Sequence, residues 1–137
     1  MDTGFVVAVA AVIFRGGRVL AMRRSPRKDA GAGVWETVSG RVSPDEPPED
    51  AMLREIHEET GLAVRLHARP VDAYVARRLD RPMCVIVYRA DHVAGEVVRC
   101  EEHDDHAWWT PAEFRARTTL ERLADAVDRA AAARGDA

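Results

Sequence analysis

The stretch GRVSPDEPPEDAMLREIHEETGL, Gly40 to Leu62, decides how the rest of the chain is read. It sets Glu55, Glu58 and Glu59 close together behind Arg54 and runs into Gly61. The segment reads as a helix starting near Pro47, because proline is tolerated in a first turn, with Asp45 or Glu46 as its cap. Glu49 and Asp50 suit the positive end of the helix dipole, and Gly61 is a natural C-terminal stop. Carboxylates three and four positions apart repel and destabilise a helix by tenths of a kcal/mol. A cation is the expected compensation.

With about 100° of rotation per residue, Met52, Leu53, Ile56 and Thr60 fall on one side and are expected to pack on a sheet. Glu55, Glu58 and Glu59 share the neighbouring sector, with Glu59 at the edge of the apolar stripe and partly hydrated. Arg54 lies beside Glu58 and pairs with it at i+4. Hard divalent cations prefer oxygen ligands, and Mg²⁺ typically takes one or two carboxylates together with water and substrate phosphate. Spacing alone leaves a metal site and a solvated acidic face about even.

Working outward, the chain has 137 residues, 47% of them hydrophobic, which is enough for one domain over residues 1–137 with its own core. No apolar run is long enough to span a bilayer. The patch FVVAVAAVIF (5–14) lacks a basic leading region and reads as a strand, not a signal peptide. Two cysteines make no disulfide framework, so reduced thiols in a cytoplasmic protein are expected. A net charge of -3 gives no general drive toward nucleic acid or an anionic membrane. RGG then turns the chain into a second strand, RVLAM, and 25–33 is a Pro/Gly loop of a kind that borders sites. VWETVSG (34–40) is a short strand ending on glycine. Residues 63–79 look like strand material and 83–91 like a buried strand. An acidic turn, CEEHDDH (100–106), precedes a short strand, AWWT. Residues 118–134 form an amphipathic helix with Leu120, Leu123, Ala124 and Val127 on one face.

Gly40, five residues, Glu46, seven residues, Arg54-Glu55, then Ile56, His57, Glu58-Glu59, Thr60, Gly61 and Leu62 resemble the Nudix box without a gap. Every fixed position of that signature is filled. The box covers 23 residues, and the order of strands around it is similar to a Nudix domain from end to end. The resemblance implies an α/β fold: an α/β/α sandwich with a mixed β-sheet and the box as loop–helix–loop. It also implies hydrolysis of diphosphate linkages in nucleoside diphosphate derivatives or nucleoside triphosphates, with Mg²⁺ or Mn²⁺. Carried over by position, Glu55, Glu58 and Glu59 are metal ligands together with the carbonyl of Ser39. Arg54 orients the glutamates, Glu46 supports the loop or a more distant metal, and Gly40 and Gly61 shape the loops at the helix ends. The chemistry is coherent without the family name, since a diphosphate repels hydroxide until its oxygens are neutralised. Glu58, or a glutamate elsewhere, then takes the proton from the attacking water.

Two further segments resemble the family. VLAMRRS resembles a strand whose terminal arginine meets substrate phosphate, with Arg24 the first choice and Arg23 the second; Glu36 and Tyr74 complete the expected substrate contacts. EEHDDHAWW resembles a late acidic loop that supplies an extra metal ligand or base, and Glu102 lies at the matching distance before Trp108. Glu101 and Asp104 are its alternatives. VSG (38–40) departs from the proline and paired glycines of many relatives, and no marker singles out a substrate class.

Other features read more plainly. His103 and His106, with Asp104 and Asp105, are expected to be exposed loop polarity in preference to a transition-metal site. His57 is expected in solvent, Cys84 in a buried strand and Cys100 partly exposed. Trp35, Tyr74 and Tyr88 read as core packing, with Tyr74 the best candidate to stack on a base. The competing function is a catalytically silent, Nudix-like nucleotide-sensing module, disfavoured by the intact box. Isopentenyl diphosphate isomerase needs a reactive cysteine where neither Cys84 nor Cys100 stands. The expected partner is a small nucleotide or diphosphate, with no nucleic acid and no membrane; a homodimer is left open.

Overall fold

The computed structural model describes residues 4–27, 31–78, 80–98 and 100–134, so residues 28–30 of the expected border loop lie outside it. The central strand is β1 (Val6–Arg15), apolar on both faces because both are covered. Gly16, at φ 62, makes the left-handed turn into β2 (Arg18–Arg24). Then come β3 (Trp35–Glu36), β4 (Val38–Arg41), α1 (Pro48–Thr60), β5 (Ala63–Leu66), β6 (Asp72–Arg78), β7 (Arg81–Ala94) and β8 (His103–Trp109), followed by α2 (Pro111–Arg117) and α3 (Glu121–Ala133).

The eight strands make one mixed sheet, with β1 and β7 parallel and the other pairings antiparallel. Strand alternation splits the core in two. Val9, Ala11, Ile13, Leu20 and Met22 meet Met52 and Ile56 of α1 on one face. Ala10, Val12, Phe14 and Val19 meet Phe114, Leu123, Ala124 and Val127 on the other. The result is the expected α/β/α sandwich. Among the described residues no helix is long and apolar enough to cross a membrane.

Several expectations change. Leu53 is 44% exposed. The helix rolls toward its small Ala51, and the 100° step from Met52 carries Leu53 out into solvent. Glu59, expected to be partly hydrated, is only 2% exposed. Neither Asp45 nor Glu46 caps α1: Pro47 is the N-cap and makes no side-chain bond, while the carboxylate of Glu46 is taken by Ser43 N–H and Arg54. Gly61 does end the helix at φ 70, its N–H donating to the His57 carbonyl. Residues 63–79 divide into β5 and β6, and Thr37 separates β3 from β4. Leu120 precedes α3 as its N-cap in a non-helical conformation and is exposed, so it leaves the phase that Leu123, Ala124 and Val127 keep. Cys84 is half-buried, not buried, and both cysteines are free. Tyr88 is core as expected, and half-buried Trp35 packs on Trp109 at 4.5 Å.

Candidate active site

Arg54 organises the acidic segment. Its Nε and Nη2 donate to Glu46 at 2.8 and 3.0 Å in a two-point grip. Nη1 donates to Glu55 Oε1 at 2.8 Å and to Glu58 Oε2 at 3.4 Å, the expected i+4 pair. Nη2 also reaches the Arg41 carbonyl at 3.0 Å, tying the helix to β4. Arg54 thus relieves the repulsion that the spacing poses, a task first given to a cation alone. The grip of Arg54, helped by the Ser43 N–H, holds the Glu46 carboxyl down at about 2, so it is ionised at any physiological pH. These partners in turn raise the guanidinium further above its ordinary value.

Glycine at position 40 has a steric reason. A Cβ there would overlap the Glu55 carboxylate, so the acid lies directly against the β4 backbone. Gly40 and Ser39 pair with Val9 and Ala10 of β1, which makes this wall rigid. The wall opens onto a cavity of about 760 Å³ between the sheet and the segment leading into α3. Its polar lining includes Arg24, Glu36, Ser39, Glu55 and Glu102. Its apolar lining includes Ala10, Met83, Val85, Leu120 and Leu123, with Tyr74 beside them. Burial pushes the Tyr74 phenol up to about 12, so it enters the cavity as a neutral hydroxyl, with Arg122 4.9 Å from its ring centre.

The expected site residues are therefore brought together in part. Arg24 lines the cavity, and its Nη1 donates to Glu36 Oε1 at 2.9 Å. Arg23 turns away to Asp104 at 2.7 Å, which also removes Asp104 as a stand-in for Glu102. Glu101 faces Arg27 at 3.6 Å. Glu55, Glu58 and Glu59 diverge: the first lies on the cavity wall, the second is half-exposed and the third points into the protein. Among the described residues no three acidic, histidine or cysteine side chains converge as a ready-made ion cage. A divalent cation nevertheless fits the place in its chemistry. The donors offered are all oxygens, and the Gly40 cradle fixes Glu55 against the strand that carries Ser39.

His103 is the main correction. It is not loop polarity: β8 begins there, and the side chain is buried between Glu36 and Glu59. The register of β2 on β8 shifts between Arg23 and Arg24, and this bulge re-aims the residue. The sequence signal available was the strand character running back from Trp108 and Trp109. His106 too lies within β8 and is half-buried. Thr37, between β3 and β4, was missed as well: it is fully buried and lines the cavity with Ser39.

The NUDIX domain family model matches residues 4–130. The CTP pyrophosphohydrolase of Escherichia coli (strain K12) is 33% identical over 111 residues, covering 79% of this chain and 78% of that protein. A MutT-like protein of Streptomyces ambofaciens is 34% identical over 126 residues, 89% of this chain and 77% of that one. The crystal structure of a MutT protein from Methanosarcina mazei Go1 superposes with a TM-score of 0.84 at 24% identity, over 98% of each chain, and shows the same fold.

Proposed function

The chain belongs to the Nudix family, and from that premise we propose that it hydrolyses the diphosphate linkage of a nucleoside triphosphate or a nucleoside diphosphate derivative. The observation that carries this reading is that Glu55, held by the same Arg54 that grips Glu46 and Glu58, lines a cavity whose wall is both charged and apolar. Such a cavity suits a ligand that combines a charged chain with a planar base. Arg24 is the wall arginine assigned to substrate phosphate, and Glu36 holds its guanidinium in place. Tyr74, on the same wall, offers a base a hydroxyl donor and an aromatic edge. Glu55, Glu58 and Glu59, with the Ser39 carbonyl, would hold Mg²⁺ or Mn²⁺. That ion supplies charge neutralisation and water activation. Glu58 or Glu102 accepts the proton as water attacks phosphorus. The CTP activity named for the Escherichia coli relative makes CTP the first compound to try. Two free cysteines fit a cytoplasmic enzyme, and the cavity fits a small molecule.

The test is a broad panel of nucleotides with Mg²⁺ or Mn²⁺, with products analysed after reaction in ¹⁸O-water. Turnover is expected to stop in excess EDTA and to return with either ion. Undiminished turnover in chelator, or no turnover of any panel member, would overturn the proposal.

Gly40→Ala checks the cradle. The methyl group would meet the free end of a flexible side chain, so Glu55 swings aside and stability changes by no more than about 1 kcal/mol. Turnover is expected to fall about tenfold, the lower range for disturbing a group that supports a metal site. Full activity in a normally folded variant would show that the seat of Glu55 does not matter.

A further inference from the structure

One buried line of side chains joins the cavity wall to the box helix. Arg24 Nη1 donates to Glu36 Oε1 at 2.9 Å. His103 Nε2 lies 2.9 Å from Glu36 Oε2, and its Nδ1 approaches Glu59 Oε1 at 3.7 Å. Side-chain exposures along the line are 14%, 7%, 0% and 3% for Arg24, Glu36, His103 and Glu59. Arg24 and Glu36 belong to the cavity wall, whereas Glu59 belongs to the last turn of α1.

We propose that His103 is a positioning residue for the hydrolase reaction: one imidazole seats Glu36, and through it Arg24, while also facing the box carboxylate of Glu59. The inference rests on the hydrolase reading given above. Its physical basis is burial. A carboxylate in water reorients freely at little cost, but one shut inside the protein takes its orientation from the partners that satisfy it. A carboxylate oxygen accepts only, so Nε2 is the donor to Glu36. That contact has the length of a good hydrogen bond, whereas 3.7 Å to Glu59 is too long for one. The hold on Glu36 and Arg24 is therefore the stronger of the two. Loss of the imidazole should disturb substrate capture more than ion binding. The grouping does not read as a transition-metal centre, because Glu36 already carries the Arg24 guanidinium and no such cluster occurs among the described residues.

The experiment compares the parent chain with His103→Ala and His103→Gln. A glutamine amide can stand where Nε2 stands and donate to Glu36, whereas alanine cannot. Folding is followed by circular dichroism and thermal melting. Mn²⁺ binding is read without nucleotide from the free-ion paramagnetic resonance signal, and KM and kcat are measured on the nucleotide that the parent hydrolyses. His103→Ala is expected to raise KM about tenfold, in the range for groups that orient a ligand-binding residue. It should weaken Mn²⁺ binding to a smaller extent. His103→Gln should recover most of the KM and leave the Mn²⁺ deficit in place. If His103→Ala melts below the assay temperature, His103→Asn, whose amide is too short to reach Glu36, replaces it in the comparison. Parental KM and Mn²⁺ affinity in either of those variants would overturn the inference, even with a lower melting temperature, since packing alone predicts that result. Equal KM values for the glutamine variant and its alanine or asparagine counterpart would overturn it too. A parent chain that hydrolyses nothing would remove the hydrolase reading and this inference together, whereas an active parent with unmoved variants removes this inference alone.

Discussion

Glu58→Gln is expected to fold like the parent chain and to turn over nucleotide at least about a hundredfold more slowly, in the usual range for loss of a charged group that takes the proton or holds the ion. The two halves of that expectation rest on different magnitudes. Glu58 is half-exposed and meets Arg54 Nη1 at 3.4 Å, while Glu55 shares the same nitrogen at 2.8 Å. An exposed i,i+4 pair contributes roughly 0.3–0.5 kcal/mol, so its loss leaves the helix standing. A hundredfold loss of rate corresponds to about 2.7 kcal/mol of barrier. A general stability effect of the first size cannot produce a kinetic effect of the second. Circular dichroism and thermal melting check the fold, and kcat on the best panel substrate checks the chemistry. A variant working at the parental rate would sink the mechanism and favour the nucleotide-sensing alternative.

Much of the scaffold was legible because its signals are local. Prolines at 47 and 48 and glycine at 61 bracket α1 within the sequence itself, and the apolar run of β1 announces a strand covered on both faces. Helical i,i+4 spacing placed Arg54 beside Glu58, whereas the two-point grip of Arg54 on Glu46, eight residues earlier, appears only in the fold. What escaped was set by contacts between distant segments. The roll of α1 that exposes Leu53 and buries Glu59 depends on how closely Ala51 lets the helix approach the sheet. His103 looked like polar loop because its burial depends on a register shift between β2 and β8, which no window of the sequence contains. Glu36 stood in the expected substrate set without its histidine partner, since that residue arrives 67 positions later. Leu120 lies one position before α3, where the helical phase no longer applies, and so it faces the cavity and solvent.

Glu102→Gln is expected to lower kcat strongly, to leave Mn²⁺ affinity nearly unchanged and to remove the acidic limb of the pH–rate profile. Three acids of the late segment were candidates, and the structure separates them by where they point. Asp104 is drawn onto Arg23 and Glu101 onto Arg27, whereas Glu102 lines the cavity with Arg24, Ser39 and Glu55. Its backbone is pinned, with the Glu102 carbonyl accepting from Ser25 N–H at 2.9 Å and the Glu101 carbonyl from the Ser25 hydroxyl. Any adjustment toward substrate therefore belongs to the side chain and not to closure of the whole loop. Glu58 sits among other carboxylates on α1, where a bound cation would hold it ionised and make it a poor proton acceptor. Glu102 comes to the cavity from another element, beside the end of β2, and not from α1. Replacing it with glutamine leaves the ion where it was and flattens that limb. Glu58→Gln, by contrast, should weaken Mn²⁺ binding together with turnover. Equal losses of Mn²⁺ affinity in both variants would make Glu102 a ligand and send the search for the base elsewhere. An unchanged Glu102→Gln would reduce the late acidic segment to solvated surface and leave Glu58 as the base.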